Sequence, residues 1–69
     1  MKQTNPRGRI TEALADMRFR VEMEDGKVIT CYMGGKLRVR NISLLVGDKV
    51  EVVLDPAGGN ATNRIVWRH

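Results

Sequence analysis

In MRFRVEME, residues 17–24, the apolar side chains Met17, Phe19, Val21 and Met23 alternate without a break with Arg18, Arg20, Glu22 and Glu24. A strict period of two marks a strand with one dry and one wet face. Asp25-Gly26 follows, and is read as the two-residue turn of a hairpin. The returning strand is KVITCYM, with Ile29, Cys31 and Met33 in one row and Val28, Thr30 and Tyr32 in the other. The first row is assigned inward, because that leaves the phenolic oxygen of Tyr32 in water beside the outward arginines.

The hairpin sets the frame for the rest. Residues 7–14 suit a strand, but Ile10 and Leu14 would share a face with Glu12, so a bulge is expected near Glu12 or Ala13. ISLLVGDKVEVVLD carries a tight turn at Gly47-Asp48 and an inward row of Val50, Val52 and Leu54, with Glu51 and Val53 outward. PAGGNATN is a turn-rich loop and RIVWR a last short strand, with Phe19 and Trp67 expected inside. Five short strands with almost no helical periodicity predict an all-β, five-stranded OB-fold barrel, since closure removes exposed sheet edges. The longest insertion falls between strands three and four, where such a barrel carries a short helix or turn. An SH3-like barrel would need a helical element at PAGGNATN, whose glycines and asparagines oppose one. The expected organisation is a flexible arm at residues 1–6 and one domain at 7–69. A chain of 69 residues buries only about 60% of its unfolded surface, so its core is thin.

That thin core leaves little room for a catalytic cleft, and the residues offer no catalytic set. Glu22 and Glu24 alternate with core positions beside arginines, His69 is the only histidine, and Ser43, Thr11 and Thr30 have no base at a motif spacing. The chain is therefore not expected to be an enzyme. A single cysteine excludes an internal disulfide and, with one histidine, a soft-ligand metal site, so no metal or cofactor is expected. Cys31 is read as a small buried hydrophobe. No apolar run is long enough to span a membrane and MKQTNPRGR lacks an apolar signal core, so a cytoplasmic protein that acts as a monomer is expected.

Charge points to binding instead. Twelve Lys and Arg face eight Asp and Glu, a net charge of +4, and eight of the twelve cations are arginine, whose planar fork fits phosphate and base edges. Three patches are candidates. Arg18 and Arg20 with Tyr32 would make a basic stacking platform on the outer face of the hairpin, unless Tyr32 only covers the sheet. In GGKLRVRN, residues 34–41, the glycines would form a flexible hinge that lets the backbone approach a partner closely. Leu37 and Ile42 would tuck under the barrel while Lys36, Arg38 and Arg40 project outward at spacings of two as a comb. Arg64 and Arg68 on the last strand would extend this surface. If about six cations meet phosphates, log affinity falls with log salt at a slope of roughly −4 to −5.

FRVEMEDGKVIT, GGKLR, VGDKVEV and RIVWR, in that order, resemble the bacterial translation initiation factor 1 family from Gly8 to Pro56 and again from Arg64. The resemblance implies a non-enzymatic factor that binds the small (30S) ribosomal subunit at the A site. There it would touch 16S rRNA and a neighbouring ribosomal protein, block premature tRNA entry and assist other initiation factors. Family members use the basic connector and the terminal arginines, which map onto Lys36, Arg38, Arg64 and Arg68. Tyr32 stands where relatives commonly carry histidine. The departures are Val39, Arg40 and Asn41 after the connector arginine, Ser43 in place of a further arginine, and the loop AGGNATN. Two other readings remain: a general single-strand RNA-binding protein or RNA chaperone, which needs more exposed rings than this chain supplies, and a protein-binding adaptor barrel.

Overall fold

The computed structural model describes residues 5–69. Five strands, β1 (Arg7–Ala13), β2 (Arg18–Met23), β3 (Val28–Met33), β4 (Lys49–Val53) and β5 (Arg64–Arg68), close into a barrel in the order β1-β2-β3-β5-β4. All neighbours are antiparallel except β3 and β5, which run parallel. One short helix, α1 (Gly35–Val39), sits between β3 and β4. This is the OB-fold arrangement expected from the strand pattern. Of the expected arm at 1–6, residues 1–4 lie outside the described residues, and the Pro6 carbonyl accepts a hydrogen bond from the Val52 N–H at 2.9 Å.

The alternation in β2 does what a period of two demands. Phe19, Val21 and Met23 point inward and meet Cys31 from β3, Ile10 from β1, Val50 and Val52 from β4 and Ile65 from β5, all buried. Leu37 from α1 is fully buried and joins the same core, as does Leu44 after it. A five-residue helix has no stability of its own in water, so α1 exists because Leu37 is anchored in the barrel. Its end is well specified. Asn41 adopts φ 55°, its N–H donates to the Arg38 carbonyl, and the Ile42 N–H donates to the Leu37 carbonyl. That pair of bonds is a Schellman motif, with asparagine at the left-handed position.

Several expectations need correction. The bulge in β1 falls at Thr11, between the pairs Ile10↔Val21 and Glu12↔Arg20, earlier than expected. The extra residue turns Glu12 outward and so removes its conflict with Ile10. Leu14 lies beyond the strand. Met17 is not in the inward row: with φ 59° it belongs to the turn before β2 and is 52% exposed. The β2–β3 hairpin has a three-residue loop of Glu24, Asp25 and Gly26, because Met23 N–H donates to the Lys27 carbonyl and Gly26 takes φ 89°. This is a turn followed by a left-handed glycine, the next commonest hairpin closure after the two-residue form. Leu54 follows the end of β4 and is half exposed.

Trp67 also departs from expectation, and for an identifiable reason. Val52 pairs with Ile65 but Glu51 pairs with Trp67, so Val66 is an extra residue in β5. Continued alternation from Ile65 would have put Trp67 in the core. The bulge at Val66 turns the indole out, leaving it 43% exposed.

Candidate nucleic-acid interface

The register of the barrel places Tyr32 between two arginines. Arg18 on β2 is opposite Tyr32 on β3, and Tyr32 is in turn the partner of Arg64 on β5. Directly opposed residues in neighbouring strands share a face, so the three side chains form one row across the outer surface. Tyr32 is 42% exposed at the middle of this row, with an arginine position on either side. Beyond the row, Arg64 faces Val53 of β4.

Arg20 occupies the next row, opposite Thr30, but its guanidinium is engaged. Its Nη1 lies 3.0 Å from Oε1 of Glu12. Among the described residues this is the one Arg or Lys ion pair, and His69 Nε2 meets Glu51 Oε2 at 2.6 Å, a contact that is an ion pair only when the imidazole is protonated. Arg68 is also committed, its Nη1 donating to the Ser43 carbonyl at 2.9 Å, which ties the segment after α1 to β5. Arg18 makes only a long Nε bond, 3.4 Å, to the Ala15 carbonyl.

The expected comb of Lys36, Arg38 and Arg40 does not form. It assumed an extended connector, whereas α1 turns about 100° per residue, so positions two apart diverge and positions four apart align. Lys36 and Arg40 accordingly border a groove with Glu51, Arg64, Val66 and Trp67. Arg38 lies on the other side of the helix, in a groove whose rim includes Met17, Val39, Ile42 and Leu45. Val39 is 84% exposed there, and Leu45 is exposed as well. The charge is therefore split: Lys36, Arg40 and Arg64 border one groove with Trp67, Arg64 also belongs to the row of Tyr32 and Arg18, and Arg38 stands in apolar surroundings.

The glycine pair is not a loose hinge. The Gly34 N–H donates to the Ile65 carbonyl at 2.8 Å and its own carbonyl accepts from Leu37 and Arg38. A Cβ on Gly34 would overlap the Ile65 carbonyl oxygen. The close backbone approach that glycine permits is thus to β5 of the same barrel, and it brings Lys36 to the side of Arg64.

Two residues outside the nominated set shape the site. Trp67 is one, and its exposure was hidden by the bulge, which has no sequence signature beyond the run Ile65-Val66-Trp67. Asn63 is the other. It is buried, its Oδ1 accepts from the Asp55 N–H at 2.6 Å, and its Nδ2 donates to the Thr30 carbonyl and to Asn60 Oδ1. Its carbonyl accepts from the Tyr32 N–H. Asn63 therefore fastens the loop before β5 to the strand that carries Tyr32.

Cys31 faces the core, where burial pushes its thiol up to about 12, and no group of three or more ligating side chains able to hold a metal occurs among the described residues. No helix there is long and apolar enough to cross a membrane.

Comparison with known proteins agrees with the barrel and extends it. The structure of YjeQ from Thermotoga maritima superposes with a TM-score of 0.75 at 30% identity, over 94% of this chain and 22% of that one. The chain thus spans less than a quarter of the length of that structural relative. The family model described as translation initiation factor 1A / IF-1 matches residues 2–69. With an OB barrel and a match over residues 2–69, the chain belongs to the translation initiation factor 1A / IF-1 family.

Proposed function

We propose that the protein occupies the A site of the small (30S) ribosomal subunit in the cytoplasm, as a monomer and without a cofactor. There it contacts 16S rRNA through the outer face of β2, β3 and β5, blocks early tRNA entry and assists the other initiation factors. The observation that carries this reading is the row Arg18–Tyr32–Arg64, continued by Lys36 and Arg40. Cations flanking an open ring suit folded RNA with unstacked bases, because phosphates meet the guanidinium groups while a base covers the ring.

The apolar groove around Arg38 suits a different contact. Met17, Val39 and Leu45 offer surface that phosphates cannot use, and it is here that the neighbouring ribosomal protein is placed in this reading. The same groove is what favours the adaptor-barrel reading, which requires binding that is indifferent to salt and to charge reversal at Arg38 and Arg40.

Sedimentation with isolated 30S subunits across a salt series, with and without an A-site ligand, tests the proposal. With Arg20 and Arg68 held in contacts within the chain and Arg38 on the apolar side of α1, about four of the candidate cations remain for phosphates, so the expected slope of log affinity on log salt is roughly −3 to −4, shallower than the sequence alone suggests. Binding should be lost to A-site competitors. Failure to co-sediment at low salt, or a slope near zero, overturns it.

A further inference from the structure

We infer that Trp67 is the floor of a binding site for one unpaired nucleotide of RNA, with Lys36, Arg40 and Arg64 taking the flanking phosphates. The inference rests on the RNA-binding reading above and names a second contact point, separate from Tyr32.

Four observations carry it. The indole does not belong to the core: Ile65 and Val52 fill the interior beneath, both fully buried, and Trp67 is outside the buried cluster. It is turned outward by a bulge at Val66, and bulges re-aim side chains at functional positions more often than elsewhere. It borders a groove of about 620 Å³, within the range that admits a nucleotide-sized group. Finally, the groove is basic, with Lys36, Arg40 and Arg64 against the single carboxylate of Glu51. That carboxylate is in contact with His69 Nε2 at 2.6 Å, and against three cations it leaves the groove net positive. An exposed indole without cations would suit many apolar ligands. An indole beside three cations and one carboxylate, in a groove of net positive charge, favours a flat anionic one, and a base on its phosphate chain meets both requirements.

The protein has one tryptophan, so fluorescence excited at wavelengths beyond the absorption of Tyr32 reports this ring alone. The full chain is titrated with an adenine oligoribonucleotide, an RNA duplex of equal phosphate count and inorganic polyphosphate. Saturable quenching by the single strand, with little from the duplex or polyphosphate, is expected. Affinity for the single strand, read by anisotropy of a labelled oligonucleotide, should fall about 5- to 100-fold in Trp67→Leu and be largely retained in Trp67→Phe. Equal urea midpoints for the variants separate this loss from unfolding. Equal quenching by polyphosphate, or a Trp67→Leu variant that binds like the parent, overturns the inference. The A-site role is read separately by 30S sedimentation. If the parent protein sediments with 30S and Trp67→Leu does so equally well, the nucleotide site fails and the A-site role stands. If the oligonucleotide quenches but the parent protein does not bind 30S, the site stands and that role fails.

Discussion

Tyr32 and Arg64 are register partners across the β3–β5 pair, the one parallel seam of the barrel. A parallel pairing of residues so distant in sequence exists only because the chain crosses between them through α1 and β4. With Arg18 on the far side of Tyr32, the seam assembles the basic row from three separate strands.

The arginines of the outer face should therefore not be equivalent. Arg18→Glu and Arg64→Glu are expected to weaken 30S binding and to make the salt slope shallower by about 1 each, because each removes a phosphate contact. Arg20→Glu should change affinity much less, since its guanidinium already serves Glu12 at 3.0 Å. Sedimentation of the three variants at several salt concentrations checks the order.

The two sides of α1 should separate in the same way. Footprints on 30S subunits are expected to lose rRNA protection with Arg40→Glu, which borders the Trp67 groove, and to keep most of it with Arg38→Glu, which faces the apolar one. Identical footprints from both variants would mean that the helix does not sort its charge.

Gly34→Ala should destabilise the fold by about 1–3 kcal/mol, measured by urea unfolding. The added methyl meets the Ile65 carbonyl oxygen, a backbone atom that cannot rotate away. Gly35→Ala serves as the control, because no atom lies within 4 Å of the position its Cβ would take.

Asn63→Ala is expected to cost about 1–3 kcal/mol, since it leaves the Asp55 N–H and the Thr30 carbonyl without their side-chain partner in a buried setting. For a domain of this size that corresponds to a fall in Tm of several degrees. If the loop also positions Tyr32, 30S affinity measured below the new Tm should fall as well.

Cys31 gives an alkaline limit. Its folded thiol ionises only near 12 whereas the unfolded thiol ionises near 9, so between these values the unfolded state has lost a proton that the folded state keeps. Stability is then complete below about pH 9 and declines by up to about 1.4 kcal/mol per pH unit as pH rises toward 12. Urea midpoints at rising pH for the parent and Cys31→Ser should converge. In the native protein at neutral pH the thiol should resist alkylation until the barrel opens.

The strand pattern, the inward row of β2, the outward position of Tyr32 and the helical or turn connection before β4 were all legible in the residues themselves. Each depends on periodicity or turn chemistry within a few positions, and such local preferences agree with the barrel that contains them. The bulges at Thr11 and Val66 were not legible in this way. A bulge is decided by how two strands must twist to close on a third, and a single inserted residue reverses the face of everything after it. That is why Glu12 meets Arg20 and why Trp67 stands outside.

The basic connector shows the same division. Its composition announced positive charge and a buried Leu37, but the direction of each cation depends on whether residues 35–39 are extended or wound. The pull of Leu37 into the core and the Gly34–Ile65 hydrogen bond wind them, sending Lys36 and Arg40 toward Arg64 and Arg38 away. Sequence alone determined which side chains carry charge and which faces of β2 and β3 are dry, because those follow from residue type and an uninterrupted period of two. Only the closed barrel decided which charges stand together, because closure, bulges and a short anchored helix are properties of the assembled chain.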